Sequence, residues 1–289
     1  MRIGAHMSVS EGKDKALEVG KELGCESIQV FIRNVRSWSS KPLEQQDIND
    51  FLRKKEELKE DIWPIISHNS YLVNLASLDK EKLEKSYNAM LDELTKAEQL
   101  SIEYENMHPG VIPISDKKEI TKKEALTQIA SQLNKLIEAT TSSEVIILLE
   151  TTAGQGKGLG NKFHHFKTII DKIQNKVRIG ICFDTAHSFA AGYDFTTKKG
   201  YNDMWKEFDD ILGLKYLYAF HLNDTDKECG SRVDRHTHIG QGKIGKTPFG
   251  FFINDHRFKD MPGILETPKG KDMKEDRMNL KILKSLRNT

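Results

Sequence analysis

The sequence predicts an α/β protein in which eight strand–helix units close into a single (β/α)8 barrel, the TIM-barrel architecture. Three observations carry this prediction. Short apolar runs rich in β-branched residues alternate with charged amphipathic stretches along the 289 residues, a pattern typical of a parallel sheet. Most of the runs are continuously apolar, as expected of strands covered on both faces. No linker or change of composition divides the chain, so we expect residues 1–289 to form one domain rather than an open doubly wound sheet.

The eight predicted strands are short and evenly spread. The first is brief and the fourth is unusually polar, so these two carry the weakest pattern. In order they are RIGAH (2–6), SIQVFI (27–32), IWPIISH (62–68), EYENMH (103–108), EVIILLE (144–150), RIGICFD (178–184), KYLYAFHLND (215–224) and MPGILET (261–267).

Helices are predicted between these strands. The stretch 11–24 follows Ser10, which we expect to cap its N-terminus, and it ends at Gly24, a residue type favoured after a last helical turn. The turn-rich segment 223–247 has no predicted helix, and a loop of this length in a compact domain is usually functional. Helix 78–100 places Leu83, Tyr87, Met90, Leu91 and Leu94 on one face. Further helices are expected at about 45–60, 119–139, 161–175, 200–213 and 271–287.

The composition indicates the cellular compartment more clearly than it indicates a binding partner. The net charge is +1, so any binding of a polyanion must come from a local patch. Cys25, Cys182 and Cys229 form no CxxC pair, which fits a reducing compartment and argues against disulfides or a thiolate zinc site. Residues 1–20 lack a signal-peptide core, and no run approaches about 18 apolar residues. We therefore expect a cytoplasmic protein without a membrane segment, although a nuclear or organellar location stays open.

Polar residues end six of the predicted strands. The C-terminal strand ends of a barrel meet at one face, where active sites lie. Carboxylates gathered there repel one another and are normally neutralised by cations. A set of imidazoles and carboxylates without thiolate suits Zn²⁺, with Mn²⁺ or Fe²⁺ as competitors. The six residues are His68, His108, Glu150, Asp184, His221 and Glu266.

Each of these residues alone has an ordinary structural explanation. A single histidine at a strand end is more often a hydrogen-bonded core or surface residue than a ligand. An isolated Glu150 or Glu266 would serve equally well as a helix cap or an ion-pair partner. Six such residues at six separate strand ends are better explained by a metal centre. Four histidines are left in the ordinary category: His164, His165, His238 and His256.

The string SRVDRHTHIG (231–240) adds a second group of candidate ligands. Asp234 and His236 lie two residues apart, so an extended loop would present them on one side, and His187 would project from the turn after the sixth strand. One carboxylate and two imidazoles are typical of a catalytic metal site with open positions. An ordinary exposed charged loop is the alternative for this string.

Two glycine-rich strings are predicted to be loops whose backbone approaches a ligand closely. GQGKIG (240–245) matches GxGxxG but does not lie between a strand and a helix, so a dinucleotide site is not indicated. AGQGKGLG (153–160) lacks the spacing of a phosphate-binding loop.

Motifs spread over almost the whole chain resemble the endonuclease IV family of apurinic/apyrimidinic endonucleases. Their order and spacing make the resemblance far more specific than any single motif. It implies a TIM barrel that cleaves duplex DNA on the 5′ side of abasic sites, leaving a 3′-hydroxyl and a 5′-deoxyribose phosphate, and that also repairs blocked 3′ ends. The strings are GAHMS (4–8), HNSYLVNLA (68–76), HPG (108–110), LLETTAGQG (148–156), GICFDTAH (180–187), HLND and GSRVDRH (within 221–236) and ILETP (264–268).

The resemblance also implies three zinc ions per chain, with Mn²⁺ an alternative at one or more sites. Glu150 would bridge two ions and orient the nucleophile, so it is the expected catalytic residue. The implied ligands are His68, His108 and Glu150 for the first ion, Glu150, Asp184, His221 and Glu266 for the second, and His187, Asp234 and His236 for the third.

Duplex DNA with an abasic site is the expected partner, and a monomer is the expected assembly. Arg36, Tyr71 and Leu72 lie in the loops after the second and third strands, a basic and apolar mixture suited to wedging the minor groove. An abasic nucleotide costs less to flip out than an intact one. Arg33 shares the first loop, and ordinary packing at the barrel rim is the alternative for Arg33 and Leu72.

Four positions depart from the family pattern without removing a ligand: Asn69, Val73, Thr151 and Asp226. Asp226 stands where lysine is expected, which would weaken a contact to phosphate. Two other functions remain open. A metal-dependent sugar isomerase or epimerase explains the second ligand group but leaves His68, His108 and the Asp234/His236 pair unused. A non-catalytic binder of damaged DNA is the third possibility.

Overall fold

The structure, a computed structural model, describes residues 1–113, 120–270 and 272–288. Within these residues eight parallel strands pair in sequence order, and the last pairs with the first to close a barrel. The predicted (β/α)8 architecture is therefore confirmed. The strands are β1 (Arg2–Met7), β2 (Ile28–Val30), β3 (Ile65–His68), β4 (Tyr104–Met107), β5 (Ile146–Glu150), β6 (Ile179–Asp184), β7 (Leu217–His221) and β8 (Pro262–Leu265).

Helices surround the barrel. The first residues of the predicted helices 119–139 and 271–287 lie outside the described ranges. The helices are α1 (Lys13–Glu22), α2 (Gln45–Glu57), α3 (Lys80–Gln99), α4 (Lys122–Ala139), α5 (Phe163–Ile170), α6 (Thr185–Ala190), α7 (Lys198–Ile211), α8 (Lys246–Ile253) and α9 (Lys274–Ser285). None of the helices in the described ranges is both long and apolar enough to cross a membrane.

The apolar residues divide into two layers. A large cluster fills the space between the sheet and the helices. A small cluster fills the barrel interior, formed by Ile66, Leu148, Cys182, Ala219 and Ile264. The continuous apolar character of the strands follows from this double burial.

The polar character of β4 has a structural reason. Asn106 donates from Nδ2 to Glu150 Oε2 at 2.6 Å. Glu105 accepts a hydrogen bond from the hydroxyl of Ser67 and interacts with the carboxyl group of Glu93 in α3. Both residues are fully buried, so β4 is polar because it contacts other buried polar groups on both sides.

The ends of α1 are only partly as predicted. The helix does end before Gly24, which has a φ of 79°. Ser10 is not the N-cap, however, because the first helical hydrogen bond runs from Ala16 N to Gly12 O and the helix begins at Lys13. Ser10 instead pairs with the hydroxyl of Ser8 at 3.1 Å.

Two α-helices in the described ranges were not predicted from the sequence. The short α6 begins at once after β6, and Asp184 caps it by accepting from His187 N at 2.7 Å. Helix α8 has the sequence KTPFGFFI, which is apolar nearly all round, so it lacks the amphipathic pattern that marks a surface helix. Its Pro248 lies in the first turn, where proline is tolerated.

A candidate metal centre at the carboxyl end of the barrel

The predicted ligands meet at the carboxyl end of the barrel. His68, Glu150, Asp184 and His221 are the last residues of β3, β5, β6 and β7. His108 and Glu266 follow directly after β4 and β8 and complete the set.

Glu150 occupies the middle of this group and is fully buried. Its Oε2 lies 3.3 Å from His68 Nε2 and 3.4 Å from His108 Nε2. Its Oε1 lies 3.2 Å from His221 Nδ1 and 3.0 Å from His187 Nδ1. One carboxylate therefore faces four imidazoles, two with each oxygen.

The potential ligand atoms form three overlapping clusters among the residues that the structure describes. Within each cluster all donor atoms lie within 4.8 Å of one another. The clusters are His68, His108 and Glu150; Glu150, Asp184, His221 and Glu266; and Asp184, His187 and His236.

Asp234 joins the third cluster from the long loop after β7. Its Oδ1 lies 3.1 Å from His187 Nε2 and 3.9 Å from His236 Nε2. The predicted trio of His187, Asp234 and His236 is thus brought together. Asp184, which was assigned only to the second ion, also lies 3.7 Å from His236 Nε2.

The buried carboxylates of the candidate metal centre need positive charge beside them. Burial alone would raise the pKa of Glu150, but His221 and His108 hold it well below its usual range. Burial likewise disfavours the charged form of His187, yet Asp184 and Asp234 raise its pKa well above the usual range. Protons on the imidazoles therefore neutralise the carboxylates when no cation does so, which is the electrostatic role of a bound metal ion.

Unpartnered atoms support the same interpretation. Glu150 Oε1, His221 Nδ1 and His236 Nε2 are buried and have no hydrogen-bond partner within the described part of the chain. Buried polar atoms almost always have partners. All three atoms are of the kinds that bind Zn²⁺ or Mn²⁺, so the residues present fit metal ions.

Asparagine and threonine side chains around the ligands were missed by the sequence reasoning. Asn223 donates to Asp184 Oδ2 at 2.7 Å and accepts from Glu266 N at 2.8 Å. Thr151, a departure from the family pattern, accepts from Asp184 N at 2.8 Å and so ties the end of β5 to the end of β6. In the sequence, only the position of these two residues indicated a role, because each lies beside or within a string that contains a predicted ligand.

The predicted DNA-contacting residues lie at the rim of the site. Tyr71 is 62% exposed, and its ring centroid lies 5.4 Å from that of His68 and 5.9 Å from that of His108. Leu72 and Arg36 are also exposed. A cavity of about 370 Å³ opens beside them, with Tyr71, His108, Val111, Gln155, Asp234 and Arg235 among its lining residues.

Arg33 does not share this exposure. Its guanidinium is buried and donates to the carbonyl oxygens of Ala89, Ser37 and Trp38 at 3.0–3.2 Å. The alternative of packing at the barrel rim is therefore correct for Arg33, since its side chain holds its own loop on α3.

The other departures from the family pattern also have a place in the structure. Asn69 is buried, and its side-chain amide lies 3.9 Å from Met90 Sδ. Asp226 pairs with Lys227 at 3.1 Å on the surface. Neither residue belongs to a cluster of ligand atoms.

Both glycine-rich strings contact the protein's own polar groups, and AGQGKGLG also lines the cavity beside the site. The backbone of GQGKIG (240–245) wraps the buried carboxylate of Asp224, which accepts from the N–H groups of Gly240, Gly242 and Ile244 at 2.8–3.1 Å. A Cβ on Gly242 would lie 2.3 Å from Asp224 Oδ1. In AGQGKGLG (153–160), Gln155 Oε1 accepts from Asp234 N at 2.9 Å and so supports the third cluster.

Comparison with known proteins agrees with this geometry. Residues 17–287 match the family model described as a xylose isomerase-like TIM barrel. The chain is 45% identical over 285 residues to a protein of Chloroflexus aurantiacus named probable endonuclease 4, covering 99% of this chain and 98% of that protein. It is 43% identical over 269 residues to an apurinic-apyrimidinic endonuclease of Caenorhabditis elegans, covering 93% of this chain and 66% of that protein.

The crystal structure of endonuclease IV from Thermus thermophilus has the same fold. It superposes with a TM-score of 0.85 at 31% sequence identity, over 99% of this chain and 98% of that one.

Proposed function

Because this chain belongs to the endonuclease IV family, we propose that it is a metal-dependent endonuclease that cleaves duplex DNA on the 5′ side of abasic sites. Its products would be a 3′-hydroxyl and a 5′-deoxyribose phosphate, and it would also remove blocked 3′ ends. The observation that carries the proposal is Glu150, a fully buried carboxylate that faces four imidazoles and belongs to two of the three ligand clusters.

Zinc is the ion that we propose for these clusters, three per chain. The donors are imidazole nitrogens and carboxylate oxygens, a set that suits Zn²⁺ and also accepts Mn²⁺ at one or more positions. The proposed ligands are His68, His108 and Glu150 for the first ion, Glu150, Asp184, His221 and Glu266 for the second, and His187, Asp234 and His236 for the third.

When bound, ions of this class lower the pKa of water and stabilise negative charge on a phosphate undergoing in-line attack. The chain supplies the orientation. Glu150 stays ionised at neutral pH because positive charge surrounds it, supplied by protonated imidazoles in the metal-free protein and by the ions when they are bound. Asn106 donates to Oε2 of Glu150 at 2.6 Å, which fixes the orientation of the carboxylate between the two groups of ligands that it would share.

We assign recognition of DNA to the residues at the rim of the metal centre. Although 62% of Tyr71 is exposed, partial desolvation beside the site and the charges of Glu266 and Glu150 raise its pKa, so it keeps its phenolic proton and presents an O–H donor. Arg36 supplies positive charge and Leu72 an apolar surface for the minor groove. The neighbouring cavity of about 370 Å³ would receive the sugar that has no base.

A sugar isomerase or epimerase is the second candidate, since it needs only the cluster of Glu150, Asp184, His221 and Glu266. It gives no role to the neighbouring histidines or to Asp234. Counting the metal ions per chain separates the two functions, because three ions favour the nuclease and one or two favour the isomerase.

The deciding experiment uses a duplex that carries one tetrahydrofuran abasic analogue. The metal-loaded wild-type protein is expected to cut immediately 5′ to the analogue, and Glu150→Ala is expected to abolish the cut. Glu138→Ala, on the exposed face of α4, is the matched control and should cut like the wild type. Binding of the duplex by a fully metal-loaded wild-type protein that leaves it intact would establish the non-catalytic binder instead.

A further inference from the structure

Gln29, in the middle of β2, is fully buried and makes three side-chain hydrogen bonds beside the metal centre. Its Nε2 donates to Glu266 Oε1 at 2.6 Å and to His6 Nδ1 at 2.9 Å. Its Oε1 lies 2.8 Å from His221 Nε2. The amide therefore contacts two predicted ligands of the same ion.

Chemistry fixes the orientation of this amide. The carboxylate of Glu266 can only accept hydrogen bonds, so the nitrogen of Gln29 must face it and the oxygen must face His221. His221 Nε2 must then carry a proton. The other ring nitrogen, Nδ1, is left to bind a cation, and it lies 3.1 Å from Glu266 Oε2 and 3.2 Å from Glu150 Oε1.

Two of the other candidate histidines are oriented by backbone carbonyl groups. Nδ1 of His68 faces Asn69 O at 2.9 Å, and Nδ1 of His187 faces Thr151 O at 2.9 Å. His221 differs because its second nitrogen faces a side chain. Metal-bound histidines almost always donate their second N–H to such an acceptor, which sets the tautomer and the ring orientation.

The position of Gln29 in the barrel explains why its side chain contacts two of the predicted ligands. Strands β3 to β8 each deliver a predicted ligand at their carboxyl ends, whereas β1 and β2 deliver none. His6 and Gln29 are register partners on β1 and β2. Through the bond to Glu266, they connect these two strands to the ligand at the end of β8.

We infer that Gln29 is a positioning residue of the metal centre, which holds His221 in the tautomer that binds through Nδ1 and fixes the carboxylate of Glu266. The inference rests on the proposed function in that it takes the cluster of Glu150, Asp184, His221 and Glu266 as a metal site. An apolar residue at position 29 would leave the His221 N–H and Glu266 Oε1 buried without partners.

Gln29→Met, which keeps the length of the side chain and removes its hydrogen bonds, tests the inference. The zinc-loaded protein is titrated with a chromophoric zinc chelator to obtain the affinity of each bound equivalent. One equivalent is expected to bind roughly 10- to 100-fold more weakly, while the other equivalents keep their wild-type affinity.

Gln132→Met is the matched control, because Gln132 is another buried glutamine, in α4 of the outer helical layer. It should leave all zinc affinities unchanged. Wild-type affinity for every equivalent in Gln29→Met would overturn the inference, and so would an equal loss in both variants. A wild-type protein that binds no zinc would instead overturn the proposed function.

The zinc-loaded wild-type protein provides a test that needs no variant. Its crystal structure is expected to show His221 bound through Nδ1, with Nε2 within hydrogen-bond distance of Gln29 Oε1. Coordination through Nε2 would overturn the inference even if Gln29→Met fails to fold.

Discussion

Asp184 connects two of the three ligand clusters. Its Oδ1 is fixed by the N–H of His187 at 2.7 Å, and its Oδ2 by the amide of Asn223 at 2.7 Å. Oδ2 lies 3.8 Å from His221 Nδ1 and 3.7 Å from His236 Nε2. A single residue at a strand end thereby caps α6 and stands between the second and third proposed metal ions.

Glu93 and Glu105 form a second buried acidic group, outside the clusters of ligand atoms. Burial raises the pKa of Glu93 to about 7. Burial and the neighbouring Glu93 raise the pKa of Glu105 well above its usual range. Arg33 Nε lies 3.6 Å from Glu93 Oε1, so one cation faces a pair that retains a proton at neutral pH.

Glu93→Gln is expected to remove part of the pH dependence of stability. A carboxyl group with a raised folded pKa stabilises the protein fully below its unfolded pKa, about 4.3, and this stability is lost as pH rises through about 7. The wild-type free energy of unfolding should therefore fall in this window, by at most about 1.4 kcal/mol per pH unit for one group. Urea unfolding of metal-free protein from pH 5 to 8 measures it.

Glu138→Gln, on the exposed face of α4, is the control for that series and should follow the wild-type curve. Only the difference between the Glu93→Gln curve and the wild-type curve is used, since the imidazoles of the metal centre titrate in both proteins. Parallel curves for wild type and Glu93→Gln would show that Glu93 is ionised in the folded state throughout this range.

The two loops proposed to contact DNA share an anchor on α3. Arg33 holds the loop after β2 through the carbonyl oxygens of Ser37 and Trp38. Glu93 accepts from Ser70 N at 3.1 Å in the loop after β3, and the Ser70 hydroxyl donates to Val35 O at 2.8 Å. The loops are therefore positioned as one unit, and α3 has buried polar residues because it carries them.

Arg33→Met is expected to destabilise the protein by about 3–5 kcal/mol, the usual effect of leaving a buried charge without its partner. Because both loops lose their anchor, KM for abasic DNA should rise more than kcat falls. Chemical denaturation and steady-state incision measure the two effects.

Arg36→Met is the matched comparison, since Arg36 is exposed in the same loop. It should weaken DNA binding while leaving stability within about 0.5 kcal/mol of wild type. If Arg33→Met were as stable as Arg36→Met, the buried contacts of Arg33 would not anchor the loops.

Local sequence patterns predict much of the barrel architecture. They do not predict the side-chain contacts that support the metal centre and the loops around it. The alternation of strand-like and helix-like runs predicted all eight strands, including the polar β4. The rule that strand ends meet at one face predicted which side chains gather there. Gln29 escaped notice because its partners lie 192 and 237 residues away, a separation that no periodicity reports. Helix α8 was missed because it is short and its sequence is apolar nearly all round, so it lacks an amphipathic pattern. Arg33 was offered for DNA because charge alone does not reveal that α3 covers it.

Removing the metal ions is expected to lower the melting temperature without unfolding the barrel. The main core lies between sheet and helices, away from the ligands, so secondary structure should persist. Glu150, Asp184 and Glu266 would lose their cations. One site that binds only the folded state contributes about 4 kcal/mol at a free ion concentration of about 1,000 times Kd. Thermal melts of zinc-loaded, chelator-treated and reloaded protein measure the change, with Mg²⁺ in place of Zn²⁺ as the control. Equal melting temperatures in all states would show that the clusters hold no ion tightly in the folded protein.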